Sequence, residues 1–215
     1  RPRKSRPKRA IINRVCRQSA SDTMCPSSSA KNAVSCFAIV AMCRNRGIGV
    51  NNSLPWRLKK ELAYFSRLTK EAVEGKQNAV VMGRLTWESL PPKFRPLSDR
   101  INVVVSKTLT EIPEGHHVAQ SFPDAVQILQ NLVDAGKVDK VFVIGGARLY
   151  RELMDSPHCS RIYLTEIDKE FECDVFFPEF DTSKFRLVKE EGVPEEPQQE
   201  GDITYHFRVY ERVKN

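Results

Sequence analysis

Short apolar runs alternate with amphipathic stretches along most of the chain. CFAIVAM (36–42), NAVVM (78–82), RINVVVS (100–106) and the run 138–144 are bounded by charged or turn residues, as expected of strands covered on both faces. Val118 marks a further short strand and 161–167 another. Helices are predicted between them. The stretch 57–70 carries Leu58, Leu62, Phe65 and Leu68 at i, i+4, i+7 and i+10; 84–90 and 147–154 are shorter. The helix 122–136 has Val126, Leu129 and Val133 on one side and Gly136 as its stop. Residues 45–53, NRGIGVNNS, read as a Gly/Asn loop, and Pro91, Pro92 and Pro96 as a rigid one. After residue 167 the period changes. Ile203, Tyr205, Phe207 and Val209 alternate with polar neighbours, so 203–212 reads as a half-buried strand that pairs antiparallel with 185–188 across an acidic, Pro-rich linker, 190–201. The pattern predicts an α/β fold. Its central sheet is mostly parallel and eight-stranded, with antiparallel C-terminal strands and helices on both faces.

Charge changes the picture only at the amino end. The 215 residues carry a net +7, but residues 1–33 hold nine Lys or Arg against Asp22, which is +8. The rest therefore carries 7 − 8 = −1. The basic character belongs to an Arg- and Ser-rich extension without a hydrophobic pattern, so 1–33 is expected to be disordered and 34–215 to form the domain. In composition the extension resembles a mitochondrial transit peptide, and its first nine residues a nuclear localisation cluster. A cytoplasmic location is expected, or a mitochondrial one if the extension is a transit peptide. No apolar run approaches the roughly 20 residues of a membrane helix. Cys16, Cys25, Cys36, Cys43, Cys159 and Cys173 include no CxxC, which points to reduced thiols. The four histidines show no metal-ligand spacing.

Glu61 is the first candidate for chemistry. It interrupts the apolar stripe of 57–70, whose exposed face already has Lys59, Lys60 and Arg67. An inward carboxylate must be bonded, paired or protonated; the alternative is a Glu at the edge of the stripe that reaches water. Ligands of parallel α/β sheets bind beyond the carboxyl ends of the strands. Three such ends suit phosphate: Gly145-Gly146 before a helix, Gly83-Arg84-Leu85-Thr86, and Ser106-Lys107-Thr108. Together they suggest a polyphosphate ligand, with cations and hydroxyls for the ribose phosphate of NADPH, although GxGxxG is absent. Residues and pattern alone indicate a nucleotide-binding α/β domain.

GIGVNNSLPW, the helix with Glu61 and Phe65, MGRLTWESLP at 82–91, RPL with Arg100, VIGGARLY at 143–150, the Thr165 strand and DVFFPEF at 174–180 follow in one order. The sequence so resembles dihydrofolate reductase over about residues 36–213, and most resembles the animal enzymes, which carry Glu on the first helix. The resemblance implies NADPH-dependent reduction of dihydrofolate by a monomer that also binds antifolates. It implies that Glu61 pairs with the pteridine ring, that Thr165 bonds this carboxylate, and that Trp56 positions a water, with Leu54 beside it. Ile39, Leu54, Leu62, Phe65, Leu90, Leu97 and Ile144 would wall the folate, Phe94 would lie near its tail, and Arg100 would take the glutamate α-carboxylate. The cofactor would meet Ala41, the closing loop with Gly47, Ile48, Gly49, Asn51, Asn52 and Ser53, and the phosphate-holding Arg84, Leu85, Thr86, Ser106, Lys107 and Thr108. It would also meet Gly145, Gly146, Ala147, Arg148, Leu149 and Tyr150. Cis peptides are implied at Gly145-Gly146 and Arg95-Pro96.

Three departures are specific to this chain. PWRLKKE is one residue shorter than in vertebrate members, Phe94 replaces a polar residue, and Lys107 replaces an Arg common at the 2′-phosphate, keeping charge but losing the fork. Two alternatives remain: a reductase of the same fold acting on another pyrimidine or pterin, and an RNA-binding protein using the basic extension. The Glu61–Thr165 pair and Arg100 argue against the first, and the near-neutral domain charge against the second.

Overall fold

The computed structural model describes residues 33–213; residues 1–32 of the extension, and the roles expected of it, lie outside them. The strands are β1 (Cys36–Cys43), β2 (Gly47–Gly49), β3 (Gln77–Gly83), β4 (Arg100–Val105), β5 (His117–Ala119), β6 (Val138–Val143), β7 (Cys159–Ile167), β8 (Val175–Phe176), β9 (Phe185–Val188), β10 (Gln198–Glu200) and β11 (Ile203–Arg212). The helices are α1 (Lys59–Lys70), α2 (Arg84–Ser89), α3 (Phe122–Asp134) and α4 (Ala147–Asp155). Eight strands run in the order β10-β11-β7-β1-β6-β3-β4-β5. From β7 to β5 every pairing is parallel, and β11 closes the sheet antiparallel to β7. This is the expected fold class. The ninth strand, β9, shares the outer edge of β11 with β10: β10 takes residues 203–205 and β9 residues 209–212.

Both faces of the parallel strands are covered, which explains their continuous apolar runs. Side chains alternate between faces. Ala38, Val40, Ala79, Val81, Val141 and Val143 pack on one face with Leu129 of α3 and Leu153 of α4. Ile39, Val80, Met82, Phe142 and Tyr163 pack on the other with Trp87 of α2 and Phe65 of α1. Capping follows local rules in α3, where Ser121 accepts from the Asp124 amide and Gly136 adopts φ +70 beyond the end.

Four local expectations change. The helix predicted from residue 57 begins at Lys59, because Leu58 is extended. The 45–53 loop contains β2, which pairs antiparallel with β8, and the 190–201 linker contains β10. Both short strands lack a sequence signal because their pairing partners, not their own residues, order them. In α1 the buried set is Glu61, Tyr64 and Thr69, while Leu62 is 47% exposed. Docking on the sheet rotates the helix from the orientation its apolar residues alone suggest.

Candidate active site

The site begins with two elements on the same sheet face. Ala41 of β1 lies opposite Thr165 of β7 in parallel register, and Glu61 of α1 reaches Thr165. Glu61 is only 6% exposed, and the Thr165 hydroxyl donates to its Oε1 at 3.3 Å. Burial raises the Glu61 carboxyl from its ordinary 4.5 to about 7; the Thr165 bond opposes that rise and the Glu200 carboxylate adds to it. Trp56 is buried beside Ala41 and Leu58 and meets Phe171 edge-on at 5.5 Å. Its Nε1 has no acceptor among the described residues.

Apolar walls adjoin this carboxyl. Ile39, Phe65, Leu90, Leu97 and Ile144 belong to one packed group with Trp87 and Met82. Leu54, Leu62 and Phe94 remain 49%, 47% and 55% exposed, so their apolar surface is available to a ligand. At the other end of α1, Arg100 is 5% exposed. Its Nε donates to the Ser98 carbonyl at 2.9 Å and Nη1 to the Thr69 hydroxyl at 2.7 Å. Burial lowers its pKa, opposed by Asp99, and no carboxylate among the described residues lies in ion-pair range. A buried cation with hydrogen bonds but no counter-charge leaves room for an anionic partner. Thr69 carries no recognisable signal in the sequence. Neither does Asn102, which bonds both the amide and the carbonyl of Leu97 at 2.9 Å and so fixes the RPL loop.

The three phosphate-suited strand ends come together. β6, β3 and β4 are consecutive and parallel, so Gly145, Gly83 and Ser106 follow them along one rim. The Gly83 amide donates to the Gly145 carbonyl at 2.8 Å. Gly145-Gly146 and Arg95-Pro96 are both cis. Gly145 has φ +124, and a Cβ there would lie 3.4 Å from the Thr86 hydroxyl oxygen and 3.5 Å from the Tyr150 phenol oxygen. The backbone is thus bare at this point of the rim.

Other candidates are committed locally. Arg84 pairs with Glu88 at 2.8 Å and Arg148 with Glu152 at 2.7 Å, both exposed i,i+4 pairs. Ser106 Oγ accepts from the amides of Thr108 and Leu109 at 3.1 and 2.9 Å. Leu149 of α4 is buried in the core, its Cδ1 4.0 Å from where a Cβ on Gly83 would lie, while Ala147 is half-buried and Leu85 exposed. Tyr150 is buried and donates to the Ile39 carbonyl at 2.8 Å, tying α4 to β1. Lys107 is exposed and lacks an ion-pair partner among the described residues. In the loop after β1, Gly47, Ile48 and Gly49 form β2, and Asn51 and Asn52 turn at φ +49 and +57 before exposed Ser53. Asp174 holds the turn by accepting from the Asn51 amide at 2.9 Å.

A family model described as dihydrofolate reductase matches residues 35–212. The chain belongs to the dihydrofolate reductase family. It is therefore an oxidoreductase. Among its relatives, dihydrofolate reductase of Heliothis virescens is 47% identical over 180 residues, covering 81% of this chain and 96% of that one. That of Sus scrofa is 49% identical over 178 residues, with the same shares. Schistosoma mansoni dihydrofolate reductase superposes with a TM-score of 0.76 at 41% identity, covering 84% of this chain and 99% of its own. No helix among the described residues is long and apolar enough to cross a membrane.

Proposed function

We propose that this protein reduces 7,8-dihydrofolate to 5,6,7,8-tetrahydrofolate with NADPH, supplying one-carbon metabolism and thymidylate and purine synthesis. The observation that carries the reading is a buried carboxyl, Glu61, bonded to Thr165 beside Ile39. Family membership supports the substrate. Glu61 binds the amide and 2-amino groups of the pteridine, which offer paired donors to a carboxylate. Ile39, Leu54, Leu62, Phe65, Leu90, Phe94, Leu97 and Ile144 cover the ring and the tail, and Arg100 takes the tail α-carboxylate. Folate-like inhibitors occupy the same surface.

The residues along the rim fit a dinucleotide. Gly83, Gly145 and Gly146 allow close backbone approach, the Lys107 ammonium is free for a 2′-phosphate, and Arg84 joins it by releasing an exposed pair with Glu88 worth only about 0.3–0.5 kcal/mol. NADPH supplies the hydride when bound. The protein supplies alignment, exclusion of water by the β2 loop, and management of a proton. Glu61 lies across the ring from N5, so it favours the protonated ring and orients a water rather than delivering the proton itself. The Trp56 Nε1–H, a buried donor, suits such a water. Proton transfer of this kind contributes roughly 10²–10⁴-fold. The test is loss of NADPH absorbance on adding dihydrofolate to the purified protein. Dihydrofolate-dependent loss is expected; its absence in a preparation that still unfolds cooperatively would refute the reading.

A further inference from the structure

The helix carrying Glu61 has no cap of its own. Leu58 occupies the N-cap position and makes no side-chain bond to the first turn, where Ser, Thr, Asp or Asn usually satisfies the free amides. The acceptor comes from 140 positions away. Glu200, at the end of β10, accepts from the Lys59 amide at 2.7 Å and the Lys60 amide at 2.9 Å. The Glu61 amide also bonds it. Tyr205 of β11 donates its phenol to the same carboxylate at 2.7 Å. Further along β11, Phe207 lies opposite Thr165 in the β7 pairing. One C-terminal hairpin thus holds both the turn that bears Glu61 and the strand that bears its hydrogen-bond partner.

We infer that Glu200 is a positioning residue that sets the ionisation of Glu61 by occupying and neutralising the amino end of its helix. The inference rests on Glu61 being the carboxyl of the site. Glu61 is the third residue of α1, where the positive end of a helix ordinarily stabilises a carboxylate. With a second carboxylate on those amides, that stabilisation is consumed and a like charge is added nearby. The groups facing Glu61 are the Thr165 hydroxyl from β7, Glu200 from β10, and the phenols of Tyr64 in α1, Tyr150 in α4 and Tyr205 in β11. Burial holds the three phenols neutral, their pKa values raised further by nearby charge. Glu200 is partly desolvated, but the bonds from Tyr205 and the Lys60, Lys59 and Glu61 amides hold its carboxyl below the ordinary range. It is therefore the charged member of this set at neutral pH.

The test uses the full chain and two independent readouts. The ionisation midpoint of Glu61 is followed by carboxyl-carbon NMR in the ligand-free protein, assigned by the signal missing from Glu61→Gln. In Glu200→Gln, which keeps a neutral acceptor for the helix, the midpoint is expected to fall by roughly half a pH unit. The pH profile of single-turnover hydride transfer is expected to move the same way. Tyr205→Phe removes a hydrogen bond from Glu200 but leaves its charge, and the Glu61 midpoint is expected to stay in place. An unchanged midpoint in Glu200→Gln, or an equal fall in Tyr205→Phe, overturns the inference and leaves Glu200 as a helix cap alone. Glu200→Asn, a neutral variant one methylene shorter, gives the same reading if the glutamine protein does not fold. If dihydrofolate is not a substrate, the rate readout is silent while the NMR midpoint still decides the role of Glu200.

Discussion

Glu61→Gln is expected to stabilise the ligand-free protein, and to do so only at neutral and alkaline pH. The carboxyl ionises near 4.5 when solvated and near 7 in the fold, because burial penalises its charge more than Thr165 relieves it. Below 4.5 both states hold the proton and Glu61 costs nothing. Between 4.5 and 7 the unfolded chain releases the proton while the folded one retains it, so stability falls as pH rises; above 7 the loss is complete. A gap of 7 − 4.5 = 2.5 pH units, at about 1.36 kcal/mol each, is a penalty of about 3 kcal/mol. Glutamine is neutral throughout, nearly the same shape, and its oxygen still accepts from Thr165. At pH 8 the variant should exceed wild type by about 3 kcal/mol, and at pH 5 by less than about 1 kcal/mol. Urea unfolding at the two pH values, followed by tryptophan fluorescence, measures both differences; other titrating groups are common to the two proteins and cancel. A difference of the same size at both pH values would refute the reasoning, because it would show that Glu61 is not held neutral by burial.

The remaining predictions concern the ligand surfaces and the loop. Arg100→Leu should weaken dihydrofolate binding by about 2–5 kcal/mol, yet hardly change the affinity of a small diaminopyrimidine without a carboxylate; calorimetry on both ligands separates anchoring from a structural effect. Lys107→Glu should raise the KM for NADPH far more than for NADH, and equal increases would remove Lys107 from the 2′-phosphate site. At Gly47 an added Cβ would sit 2.3 Å from Cys173 Sγ and 2.6 Å from Cys173 Cβ. Gly47→Ala should therefore cost roughly 1–3 kcal/mol of stability, and Cys173→Gly should recover much of it in a double-mutant cycle. Additive losses would show that the β2–β8 pairing adapts without strain.

Apolar runs such as NAVVM and the Gly136 stop act within a few residues, so strand and helix positions were legible from the chain alone. The same holds for the glycines at 83, 145 and 146, whose missing side chains constrain the backbone wherever the fold places them. The continuous apolar runs also made the two covered faces readable. The tertiary structure decided what depends on distant partners. The sheet order brought Gly83, Ser106 and Gly145 onto one rim, and β8 turned part of a glycine loop into β2. Docking decided that Tyr64 is buried and Leu62 half-exposed, since a helix with apolar residues on more than one side is oriented by the surface it meets. Most of all, the residues mark Glu61 as an anomaly in an apolar stripe; the family resemblance added Thr165 as its partner, and only the fold added Glu200. Thr165 and Glu200 approach it from 104 and about 140 positions away, and its ionisation follows from burial and neighbouring charge, which only the folded chain creates.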